Sequence, residues 1–134
     1  MGLNISAGGD GFRAGNYSGF HKFRCWLANF ENYDYDANSS AMPQDMLARI
    51  LFDHSDCDGS ISWKNATDLR IDLIILQMRA TRGTNPREKL RLVNLTQNGS
   101  EEEKRDEEYY QNILADLIRI CQRSQETEED IEFS

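Results

Sequence analysis

The sequence is that of a mainly α chain with a minor short β element, folded as a single compact helical domain of four to five helices. Three observations point there. Apolar residues recur at helical spacing in several separate stretches. Clusters of Gly, Asn, Asp, Ser and Pro punctuate the gaps between them. The length, 134 residues of which 39% are hydrophobic, suits one core and one domain.

Taken in order, Leu3 to Ser6 suits a short strand. Six glycines fall within the first nineteen residues, which predicts a loop that turns sharply or approaches something closely. Ser18 is the expected N-cap of a helix over 19–31, whose apolar face carries Phe20, Phe23, Leu27 and Phe30 with Trp26 beside them. His21, Lys22 and Arg24 fall off that face. A polar loop covers 32–40, and Pro43 suits the first turn of a second helix with Met46, Leu47, Ile50 and Leu51 inward. After an Asp/Ser/Gly turn, Ile61 is extended and Ser62 caps a helix over 63–80 that holds Leu69, Leu73, Ile75 and Leu76. A short helix over 87–93 turns Leu90 and Val93 inward. Ser100 and Glu103 form a capping box for a last helix over 101–124, with Tyr110, Ile113, Leu114, Leu117, Ile118 and Cys121 as its stripe. Residues 1–125 therefore read as one helical domain with a Gly-rich N-terminal loop, and 126–134 as an acidic flexible tail.

Charge excludes several roles. A net charge of −8 disfavours nonspecific binding to nucleic acid or to an anionic membrane. No apolar run reaches the roughly 20 residues that span a bilayer, and the start lacks the charged and apolar regions of an export signal. Cys25, Cys57 and Cys121 are odd in number and form no C-x-x-C pair, which argues against disulfides and a structural zinc site. The expectation is a cytoplasmic chain with reduced thiols, no cofactor and no metal.

Two stretches carry chemistry. The first, Phe52 to Ser62, gathers acids, a histidine, a thiol and hydroxyls into one turn. Setting Gly59 at the sixth position of a calcium loop places His54 first, Asp56 third, Asp58 fifth and Ile61 eighth, but puts Asn65 where a bidentate Glu belongs. A degenerate EF-hand is one reading and an Asx-rich turn that caps a helix the other. His54 and Cys57 are also the residue types of a nucleophilic site, with His21 as a distant partner. The second stretch, Phe12 to Arg24, leads a Gly-rich loop into a helix, where backbone N–H groups and arginines attract anions.

Met1-Gly2-Leu3-Asn4-Ile5, the Arg13-Ala14-Gly15-x-Tyr17-Ser18-Gly19 stretch and the Ser55-Asp56-Cys57-Asp58-Gly59 turn together resemble a group of small uncharacterised proteins of tailed phages and prophages. Its members begin M-G-L-D-I; here Asn4 replaces the acid. The resemblance covers the first half of the chain. It implies a phage setting in the host cytoplasm and a meeting of the two motifs in space. The expectation drawn from all of this is a small anti-defence binding protein, a homo-oligomer and not an enzyme. It would sequester an anionic, nucleotide-like signal with Arg13, Tyr17, Ser18, His21, Arg24, His54 and Asp56. The rival is an acidic inhibitor whose 101–108 and 126–132 carboxylates imitate nucleic acid against a host nuclease.

Overall fold

The computed structural model describes residues 2–36, 42–55, 57–82 and 86–134, with the backbone alone at 86–88. It is mainly helical with a small antiparallel sheet, as the periodicity predicts.

The N-terminal glycines build a hairpin rather than a loop. Strand β1 (Gly2–Ala7) pairs antiparallel with β2 (Asp10–Asn16). Gly8 and Gly9 make the two-residue turn, with φ of +56° and +80°. Positive φ at both positions matches the twist of the flanking strands and suits glycine. Leu3, Ile5, Ala7 and Ala14 face the core, while Asn4, Ser6 and Arg13 face solvent.

Helix α1 (Tyr17–Ala28) follows β2 without a loop. Its N-cap is Asn16 and not Ser18: the Asn16 Oδ1 accepts from the Gly19 N–H at 2.6 Å and from the Ser18 hydroxyl at 3.1 Å. Phe20, Phe23, Leu27 and Ala28 are buried as the spacing requires, and a short 3-10 turn continues to Glu31.

The helix expected from Pro43 shrinks to α2 (Arg49–Asp53). The amides ahead of it bond side chains from elsewhere, Leu47 N–H to Glu31 Oε1 and Ala48 N–H to Asp72 Oδ2, and Ala48 takes φ of +57°. These tertiary contacts override helix propensity. Strand β3 (Gly59–Ile61) comes next. Ser62 then accepts from the Lys64 N–H at the head of a 3-10 turn that leads into α3 (Ala66–Arg82).

Helix α4 (Pro86–Asn98) is longer than the spacing suggests. Its Leu90 and Val93 are exposed rather than inward, as is Ile75 on α3. Helix α5 (Glu101–Thr127) opens on the expected cap, with Ser100 Oγ accepting from the Glu103 N–H. It packs along α3, where Leu69, Leu73, Leu76 and Ala80 are buried, through its own Ile113, Leu114, Leu117, Ile120 and Cys121.

The acidic end is not a frayed tail. Residues 131–133 form β4 (Ile131–Phe133), which lies between β1 and β3 in a sheet ordered β2-β1-β4-β3. Ile131 and Phe133 are buried, and Asn4 and Ser134 exchange backbone hydrogen bonds across the ladder. A left-handed residue at Glu128 and the buried Ser124 hydroxyl, which donates to the Glu129 carbonyl, turn the chain back from α5. Among the described residues no helix is long and apolar enough to cross a membrane.

Candidate functional site

Ring stacking and carbonyl contacts fold the loop after α1 back along that helix. Asn32 takes φ of +54°, and the Tyr33 N–H bonds the Ala28 carbonyl at 3.2 Å. Tyr33 is buried. Tyr35 donates its hydroxyl to the Phe52 carbonyl at 3.0 Å, with its ring 5.4 Å from that of Phe52. Two tyrosines anchored one residue apart carry Asp36 to the exposed side of α1. There its Oδ1 lies 2.9 Å from His21 Nε2.

Cys25 stands one helical turn beyond His21, and its Sγ lies 3.6 Å from the same Nε2. Among the described residues, the His, Cys and acidic donor atoms that converge are those of His21, Cys25 and Asp36, all within 4.8 Å of one another. Burial raises the Cys25 thiol above its ordinary value, and Asp36 and Asp34 raise it further. Cys121 is pushed up to about 12 by burial. Both thiols are therefore protonated at neutral pH, the unreactive form.

Arg24 has a different task from the one its sequence suggests. It is 3% exposed, and its Nη1 donates to the carbonyls of Leu51 at 3.2 Å and His54 at 2.7 Å. Its guanidinium also lies 5.0 Å from the Phe20 ring and 5.4 Å from that of Tyr35. It pins α1 to the end of α2 and faces inward rather than toward a ligand.

The other expected residues separate. Arg13 is exposed on the outer face of the sheet, opposite Asn4. Tyr17 is half-buried at the head of α1, and the Ser18 hydroxyl is turned to Asn16. The anion site expected at the helix start is thus occupied by the chain's own Asn16 side chain. His54 Nδ1 lies 2.7 Å from the Ser55 carbonyl, and its ring sits 4.1 Å from that of Phe133. Cys57 Sγ contacts the Ser55 hydroxyl at 3.4 Å. Asp56 lies outside the described residues. The structure brings His21, Arg24 and His54 to one corner: the His21 ring lies 5.5 Å from that of Tyr35, which Arg24 also covers, and Arg24 bonds the His54 carbonyl. Arg13 lies apart from them on the open sheet face.

Two surface clefts have carboxylates in their walls, the first of them among leucines and amides. One, of about 620 Å³ between α4 and α5, is lined by Arg91, Glu103, Asp106, Glu107 and Tyr110 among others. Another, of about 820 Å³, runs beside the hairpin turn and includes Asp10, Glu128, Glu129, Asp130 and Glu132. Neither is lined by the residues expected to hold an anion. Glu107 is held by the Trp26 indole at 2.7 Å and by Arg91 at 3.1 Å, whereas Glu101, Glu102, Glu103, Asp106 and Glu108 are exposed. Asp130 caps the Trp63 N–H at 3.0 Å, and Glu132 projects from the outer face of β4.

Sequence reasoning overlooked Cys25 and Asp36 as chemical residues. The signal was present as His21-x-x-x-Cys25, one helical turn, followed by alternating tyrosine and aspartate over 33–36. No family model, curated protein or solved structure matches this chain.

Proposed function

We propose that this protein is a non-catalytic binding protein that offers its carboxylates to a basic surface on a macromolecular partner. The partner chemistry that fits is a nucleic-acid-binding groove, such as that of a host defence nuclease in the phage setting that the resemblance implies. The observation that carries this reading is the placing of the exposed acids on ordered elements. Glu101, Glu102, Glu103, Asp106 and Glu108 stand on the first turns of α5, and Glu128 to Glu132 stand on the turn into a central strand.

Helix α5 has 27 residues and is roughly 40 Å long, so it holds the two groups roughly 30–40 Å apart. That is close to the ~34 Å repeat of duplex DNA. Fixed negative charges lose less conformational freedom on binding than a floppy tail would. Sequestration of a nucleotide draws less support, because Arg24 serves two carbonyls and Asn16 fills the start of α1. The enzyme reading is weaker still, since His54 and Cys57 each face Ser55.

The test is competition. Labelled duplex DNA is bound to each of a panel of purified phage-restricting nucleases, and this protein is titrated in at low salt. Displacement from one of them is expected. Neutralising the five exposed acids of 101–108 to Gln or Asn should weaken it by about tenfold or more, as loss of several charge contacts does. Failure to displace DNA from any nuclease, or full displacement by the neutralised variant, removes the proposal.

A further inference from the structure

The corner formed by His21, Cys25 and Asp36 belongs to neither the acidic surface nor the hydrophobic core, and it lies apart from the sequence motif that first suggested a metal. We propose that these three side chains form a binding site for a divalent transition-metal ion of the zinc class, with the fourth position left to water or to an exogenous ligand.

Geometry carries the argument. A tetrahedral zinc ion, with bonds of about 2.0 Å to nitrogen and oxygen and about 2.3 Å to sulfur, sets N and O about 3.3 Å apart and N and S about 3.5 Å apart. Here His21 Nε2 lies 2.9 Å from Asp36 Oδ1 and 3.6 Å from Cys25 Sγ. These two edges lie within about 0.4 Å of the tetrahedral values, and all three donors fall within 4.8 Å of one another, so closing on an ion calls only for side-chain adjustment of the exposed Asp36. The arrangement also differs from a nucleophilic triad. In a triad the base bonds the nucleophile through one ring nitrogen and the acid through the other. At this corner one nitrogen faces both neighbours, which suits three ligands around an ion.

The scaffold supports the same reading. His21 and Cys25 share a face of a twelve-residue helix, and Asp36 is delivered by a loop held through the buried Tyr33 and the Tyr35 hydroxyl. The His21 and Asp36 side chains are 41% and 77% exposed, so an ion reaches them from solvent. The donor set chooses the ion. A thiolate with an imidazole selects zinc, cobalt or a neighbour over calcium and magnesium, which want oxygen.

Binding forms metal bonds to His21 Nε2, Cys25 Sγ and Asp36 Oδ1. It breaks the Cys25 S–H bond and releases that proton to solvent, with no change in oxidation state. Because the bond to sulfur forms only as that proton leaves, metal and proton compete for the thiol. The site stands independently of the acidic-surface reading.

The experiment titrates the metal-free full chain with Co²⁺ and then with Zn²⁺ against a chromophoric chelator. Expected are one equivalent bound, a thiolate-to-cobalt charge-transfer band in the near ultraviolet, and no competition from excess Ca²⁺ or Mg²⁺. Cys25→Ser should abolish the band, and His21→Ala or Asp36→Asn should weaken binding by about tenfold or more. Cys57→Ser and Cys121→Ser should leave the band in place, and circular dichroism checks that each variant is folded. Absence of binding by wild type would leave only a surface His–Asp contact and overturn the site. A band that survives Cys25→Ser, or disappears with Cys57→Ser in a folded protein, overturns it equally.

Discussion

Arg24 shows how one side chain changes meaning between sequence and fold. Off the apolar face of α1 and beside a glycine-rich segment, it reads as an anion-binding cation, yet it is buried against two carbonyls and two rings. Arg24→Ala leaves the Leu51 and His54 carbonyls short of a donor and opens space beside Phe20. The expected cost is about 1–3 kcal/mol in urea unfolding; unchanged stability would restore the ligand-binding role. Gly15 makes a second residue-scale test. It takes φ of +87°, and a Cβ there would come within 2.6 Å of the Tyr109 hydroxyl, which donates to the Ala14 carbonyl. Gly15→Ala should destabilise by roughly 1–3 kcal/mol. Pairing it with Tyr109→Phe should recover the steric part of that loss and leave the backbone part. Asp10 supplies a pH signature. The Gly11 N–H holds its carboxyl below the ordinary value, and Arg119 adds to the effect. A depressed folded value means that this contribution is present above the unfolded value and is lost as pH falls through the folded one. Asp10→Asn should therefore flatten the acid limb of the stability profile and leave the alkaline limb alone.

Among the elements, α5 and α3 were the most legible, because capping chemistry and a long 3.6-residue stripe agree there. Ser100 with Glu103, and Leu114 with Leu117 and Cys121, each point to the same helix. Three elements resisted for separate physical reasons. Strand β2 hides behind Gly11 and Gly15, which read as loop although the second makes room for Tyr109. The 43–48 segment has helical spacing, but Glu31 and Asp72 take its amides from afar, and no local pattern records that. Strand β4 is three residues among acids, and its alternation of Ile131, Glu132 and Phe133 is too short to outweigh the charge. The site was half legible: His21 was singled out from the sequence, while Cys25 and Asp36 became chemical only when the 32–36 loop folded back on α1. Truncation after Gln125 removes the strand between β1 and β3 and exposes the faces that Ile131 and Phe133 cover. Each of those side chains is worth about 1.5–3 kcal/mol when fully buried. The truncated chain should lose cooperative unfolding, whereas Glu132→Gln should keep it. A truncated chain that melts like the full one would contradict the central place of β4.

For the whole molecule, the two acidic groups are parts of the frame rather than appendages. Thiol, imidazole and carboxylate meet at one corner, while the carboxylates of α5 and the β4 turn face outward at its two ends. Charge presented in this way should act through counterion release, so its signature is ionic-strength dependence. The decisive measurement is the affinity for the nuclease from which DNA is displaced, as a function of salt, wild type against the variant neutralised at Glu101, Glu102, Glu103, Asp106 and Glu108. A steep fall with salt is expected for wild type and a markedly shallower slope for the variant, with both proteins unfolding alike in urea. Equal slopes, or an affinity indifferent to salt, would contradict it.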